Sequence, residues 1–155
     1  MNQAQQLASR FNEALLNGNW VTHTNFKNLL SDVSFKEATT SYKSLNSIAL
    51  LTYHINYYIA GVLEVFKGND LTIRDQYSFD MPAMTIEKQW AELKEGLFQN
   101  AQEFASHLSK LSDTEIEAPF VDEKYGNYNR NMNGMIEHCY YHLGQLVLIK
   151  KLLRS

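Results

Sequence analysis

Apolar positions recur at three- and four-residue intervals in four stretches of this chain, the spacing of one face of an α-helix. In the first, Ala4, Leu7, Phe11, Ala14 and Leu15 form the stripe and Gly18 closes it. In the second, Ser44 is placed to cap a helix whose face carries Ile48, Leu51, Ile55, Tyr58, Val62 and Val65 and which ends before Gly68. In the third, Thr85 is the expected cap of a stripe of Ile86, Trp90, Leu93, Leu97, Ala101, Phe104, Leu108 and Leu111. The fourth begins near Asn131 and runs to the C-terminus, with Met135, Ile136, Cys139, Leu143, Leu146 and Leu153 apolar. A shorter helical piece is expected between Trp20 and Leu30, and Ser34–Glu37 has the spacing of a capping box for another short turn. No stretch alternates with the two-residue period of a strand. Four long amphipathic helices in 155 residues predict an all-α four-helix bundle, a single domain over residues 1–155. Two connections, 67–84 and 112–130, are longer than bundle loops usually are; such loops either cross the bundle end or act as lids.

Composition narrows the partners. Acidic residues outnumber basic ones, the net charge is -3, and nothing marks a nucleic-acid surface or an anionic-membrane surface. The single cysteine, Cys139, excludes an internal disulfide and fits a reducing, cytoplasmic setting. The first twenty residues lack the apolar core of a signal peptide, and no stretch approaches the roughly 20 apolar residues of a membrane span. The expected partner is a small-molecule substrate.

The chemistry lies in "EHCYYHLGQ", residues 137–145. His138 and His142 are four residues apart and so lie one above the other on a helix face, where two imidazoles can hold one metal ion. An i,i+4 histidine pair arises by chance often enough to carry little alone. A third ligand must come from another helix, and His54, at the edge of the second stripe in "LLTYHINYY", is the candidate at similar depth. Three histidines without a carboxylate or thiolate leave open positions for water or substrate. Nitrogen donors suit zinc, nickel, iron or copper without choosing among them. His23, in a short polar segment, and His107, beside the third stripe, have no convergent partner and read as surface or flank residues.

A histidine in the second helix followed far downstream by H-x-x-x-H-x-G-Q resembles the DinB-like superfamily, damage-inducible-protein-like metalloenzymes related to bacillithiol- and mycothiol-dependent transferases. The matching residues are His54, His138, His142, Gly144 and Gln145, with "NGNW" at Asn17–Trp20 early in the chain. The resemblance implies a four-helix bundle in which His54, His138 and His142 hold a divalent transition metal, zinc, nickel or iron. It also implies a low-molecular-weight thiol as possible cosubstrate, and a homodimer.

Two reaction classes follow, thiol S-transfer and hydrolysis, because a bound metal lowers the pKa of a thiol or of water. Hydrolysis normally needs a general base. In the zinc-protease pattern H-E-x-x-H a glutamate follows the first histidine; here that position is Cys139, and Glu137 points about 100° away. Gln145 shares the histidine face and either bonds a ligand imidazole or packs as an amide against a neighbouring helix. Tyr58, one turn after His54, either offers its hydroxyl to the site or is simply core. Arg130 is expected to be a solvated loop arginine, and Cys139 a buried, inert thiol. The alternative to an enzyme is a non-catalytic metal-binding or interaction protein with a vestigial site. Val147 and Leu148, outward on the last helix, are the candidate dimer surface.

Overall fold

In the computed structural model, which describes residues 1–155, the four predicted stripes lie on α1 (Gln3–Asn12, continued by a π-turn at Glu13–Asn17), α4 (Ile48–Phe66), α5 (Glu87–Leu108) and α7 (Tyr128–Leu153), except that Ile86, exposed at the α5 cap, and Leu111, past its end, fall outside the third. Three short helices complete the chain: α2 (Phe26–Leu30), α3 (Phe35–Thr39) and α6 (Asp113–Glu117). The fold is all-α, and the only strand-like pairing is an isolated bridge between Pro119 and Asn127.

The helix starts follow from which side chain reaches the free N–H groups of the first turn. Ser47, not Ser44, caps α4, its hydroxyl accepting from the Leu50 N–H. Thr85 does not cap α5; the Gln89 carboxamide reaches back and accepts from the N–H groups of Thr85 and Ile86. Asn127 caps α7 through the Arg130 N–H, so this helix begins at Tyr128, one turn before Asn131. The polar run "NYNRN" hides that turn from an apolar stripe. The piece expected between Trp20 and Leu30 is helical only from Phe26, because Asn25 takes the Asn28 N–H and anchors its own amide on Gly18 O. Ser34 and Glu37 form the expected capping box.

The four long helices form a ring in which α4 touches α5 and α7, and α1 touches the same two. Later residues of α4 meet later residues of α5: Asn100 donates to Asn56 at 2.9 Å, and Lys67 pairs with Glu103 at 3.1 Å. These two helices are therefore parallel. α7 runs antiparallel to α4, with Phe66 stacked on Tyr128 at one end and Leu51 beside Leu148 at the other. Fully buried Phe11, Ile55, Ile59, Trp90, Leu97, Phe104 and Leu143 fill the centre. The Trp90 indole donates to Val33 O at 2.9 Å, tying α5 to the turn before α3. Arg154 binds Asp32 at 2.9 Å and Glu37 at 2.6 Å, and Lys150 also binds Asp32, which fastens the end of α7 to the α2–α3 region. α4 does have the length and apolar character of a membrane-crossing helix, contrary to the expectation above. Its apolar residues Ile48, Leu51, Ile55, Ile59 and Leu63 are instead the buried heart of the bundle.

Because α4 and α5 are parallel, the chain between them must return along the bundle, which is why 67–84 is long. It forms a strap over α4, with one 3₁₀ turn at Asp75–Tyr77. Tyr57 holds it at Arg74, donating its hydroxyl to the carbonyl and accepting from the N–H at 3.0 and 2.9 Å. Beneath it is Gly61, where a Cβ would lie 2.5 Å from Ile73 Cγ2 and 2.6 Å from Cδ1. The second long connection holds α6, the bridge and a 3₁₀ turn at Glu123–Tyr125. Gly61→Ala is expected to cost about 1–3 kcal/mol by overpacking, read as a lower urea midpoint. An unchanged midpoint would show that the strap does not depend on close approach at Gly61.

Candidate metal centre

α4 and α7 bring His54, His138 and His142 together, and one nitrogen from each ring lies within 4.8 Å of the others. His54 faces α7 because it is three residues after Leu51 and one before Ile55, on the flank of the buried stripe. His138 and His142 are one turn apart on the facing side of α7. His54 Nε2 is 3.1 Å from His138 Nε2, and His142 Nε2 is 2.9 Å from the same atom. His54 and His142 are only 6% and 5% exposed.

The outer nitrogens fix the inner ones. His54 Nδ1 lies 3.3 Å from Ser78 O, a carbonyl that can only accept, so the proton sits on Nδ1 and Nε2 carries a lone pair. His142 Nδ1 is 2.7 Å from Gln145 Oε1, which places its proton on Nδ1 in the same way. Both free lone pairs then face His138 Nε2, and a single proton there could satisfy only one of them. A cation satisfies all three. The two separations to His138 Nε2 suit this, since metal–nitrogen bonds of about 2.0–2.1 Å put neighbouring nitrogens roughly 2.9 Å apart in octahedral and roughly 3.3 Å apart in tetrahedral coordination.

Burial pushes all three imidazole pKa values down, and His138, further opposed by the charges of His142 and His54, falls to about 4. The rings are therefore neutral at pH 7, the form that donates to a metal. The strap completes the pocket wall, with Phe79 stacked on His54 at 4.0 Å between ring centres. Tyr58 sets its ring edge-on to His54 and His138, while its hydroxyl donates to Asp75 at 2.9 Å and not to an imidazole. Gln145, for which the sequence leaves an imidazole bond or amide packing open, bonds His142 at 2.7 Å and donates to the Tyr141 hydroxyl at 3.3 Å.

The remaining sequence candidates separate cleanly. His23 is exposed in a turn with φ 57°, and His107 stacks on Phe66 at the end of α5. Cys139 is fully buried, and burial alone drives its thiol pKa well above the usual range. Glu137 is exposed on the outer face of α7. Arg130 is not a loop residue; it stands in the first turn of α7 and lines a cavity of about 860 Å³ that also reaches His138 and Asp75. Ser78, Phe79 and Asp75 escaped the sequence reading. Their one signal was the length of the connection that carries them.

A helical bundle with three convergent, neutral imidazoles beside an open cavity has the donor set of a transition-metal centre. The family model described as the DinB superfamily matches residues 19–146, most of the chain, and the protein belongs to that superfamily. The match takes in His54, His138, His142 and Gln145 and begins after α1. Comparisons with curated proteins and with solved structures gave no match.

The depressed His138 pKa sets a pH dependence. An unfolded histidine titrates near 6.5, whereas the folded one titrates near 4, so the unfolded state binds the extra proton first. Stability of the metal-free protein is complete above pH 6.5 and falls toward pH 4. His138 alone accounts for about 1 kcal/mol by pH 5, because solvent reaching this half-buried ring screens part of the effect. Urea denaturation at pH 7 and pH 5 should show this loss in the wild type and a smaller one in His138→Gln; equal losses would contradict the assignment.

Proposed function

We propose that this protein is a metal-dependent enzyme in which His54, His138 and His142 hold one divalent transition metal, zinc, nickel or iron. The observation that carries this is the meeting of three imidazole nitrogens whose lone pairs no protein hydrogen can satisfy together. When bound, the metal supplies Lewis acidity, lowering the pKa of a thiol or of water. The protein does the rest. Ser78 O and Gln145 orient two of the rings, as outer partners of ligating histidines do. Phe79 and Tyr58 shield them from water. The cavity beside His138 admits a small molecule.

Two reaction classes fit, and they differ in the base they need. Thiol S-transfer with a low-molecular-weight thiol cosubstrate needs no further base. Hydrolysis does, and Asp75, the one carboxylate on the cavity wall, with one oxygen held by Tyr58, is the base this reading assigns. Asp75→Asn should lower ester hydrolysis 10²–10⁴-fold and leave transfer between thiols and electrophiles nearly unchanged. The homodimer belongs to the same reading, with Leu148 exposed on the outer face of α7, whereas Val147 is half-buried against the core; sedimentation at micromolar concentration checks it.

Metal content by mass spectrometry tests the core of the proposal. Wild-type protein loaded with zinc, nickel or iron should retain near-stoichiometric metal. His54→Ala, His138→Ala and His142→Ala should each lose it, and Gln145→Leu should weaken affinity about 10–100-fold. Metal retained in His138→Ala, or absent from loaded wild type, overturns the reading.

A further inference from the structure

The cavity beside His138 is asymmetric in a way the imidazoles do not require. Its inner wall is apolar, made by Val62, Leu71, Ile73, Phe120, Met132 and Met135. Its mouth is cationic, with Arg74 from the strap, Arg130 from the first turn of α7 and Lys124 from the second long connection. Lys124 is paired with Asp122 at 3.3 Å. Arg74 and Arg130 have no carboxylate within salt-bridge distance, although acidic residues outnumber basic ones in the chain. Asp75, the one acidic lining residue, has an oxygen occupied by the Tyr58 hydroxyl.

Both arginines are fixed at the backbone. Tyr57 clamps the Arg74 peptide groups, and the Arg130 N–H is bonded to the α7 cap Asn127. The N-terminal end of α7 adds its positive dipole to the same mouth. Two unpaired arginines on separate segments thus bring positive charge to one rim. Eight residues of helix, roughly 12 Å, separate Arg130 from His138.

We infer that the cavity binds an organic anion with an apolar body, its carboxylate or phosphate held by Arg74 and Arg130 and its other end directed toward His138. The inference rests on the His54–His138–His142 cluster being the reacting centre. It assigns the substrate class: an acid carrying an apolar chain or ring system that spans the distance from the mouth to His138.

Calorimetry on metal-free protein tests this without the metal, using octanoate, octyl phosphate and 1-octanol as probes sharing one body. At least one anion should bind ten-fold or more tighter than the alcohol, and the tighter of the two identifies the head group. In Arg74→Gln/Arg130→Gln that advantage should vanish while alcohol binding and the thermal midpoint stay as in wild type. Ile73→Ser should weaken anion and alcohol alike. Equal binding of anions and alcohol, an anion preference that survives the double substitution, or no binding of any probe overturns the inference. Since metal retention is measured separately, on loaded protein, failure of the anion site and failure of the metal site are told apart.

Discussion

The structure turns on a hydrogen-bonding conflict that the protein cannot resolve alone. Two imidazoles have their protons directed outward, to Ser78 O and to Gln145, which leaves two lone pairs aimed at a third ring. A buried acceptor without a donor costs about 1–3 kcal/mol. A bundle of apolar helices could remove that cost by placing leucine at these positions. The chain instead keeps three histidines and builds partners around two of them. A cation bound there would convert the conflict into coordination, and its binding free energy would add to fold stability by mass action.

The outer partners depend on topology. With α4 and α5 parallel, the connection between them must travel the length of the bundle, and its path over α4 brings Ser78 and Phe79 onto His54. Gly61 and Tyr57 hold that path down. An antiparallel pair with a short turn would leave His54 open to water on this side. It would also remove Arg74 and Asp75 from the cavity wall. One feature of connectivity therefore both shields the imidazoles and furnishes the pocket beside them.

Much of this is legible in the sequence, for identifiable reasons. Apolar periodicity places α1, α4, α5 and α7 because each buries one stripe in a common core. The i,i+4 spacing places His138 and His142 on one face, and His54 follows because a polar ring flanking an apolar stripe needs a partner. Caps were harder. Ser44 and Ser47 are chemically equal, and only the path of the preceding turn decides which hydroxyl meets a free N–H. The strap was illegible at the atomic level. Ser78 contributes a main-chain carbonyl that any residue could supply, and Phe79 reads locally as an ordinary loop aromatic. Arg130 falls outside the apolar period because the first turn of α7 is polar.

The three imidazoles divide their work. His54 and His142 each have a partner on the outer nitrogen and are almost completely buried, so their orientation is set by the protein. His138 has no such partner, is less buried, and is the ring that lines the cavity. Its neighbours also disfavour its protonation most directly, since it lies between two rings whose charges would repel its own. The cluster is thus rigid on the core side and open on the cavity side. On the proposed route past Arg74 and Arg130, a ligand would meet His138 first, because His138 is the one imidazole of the three that lines the cavity.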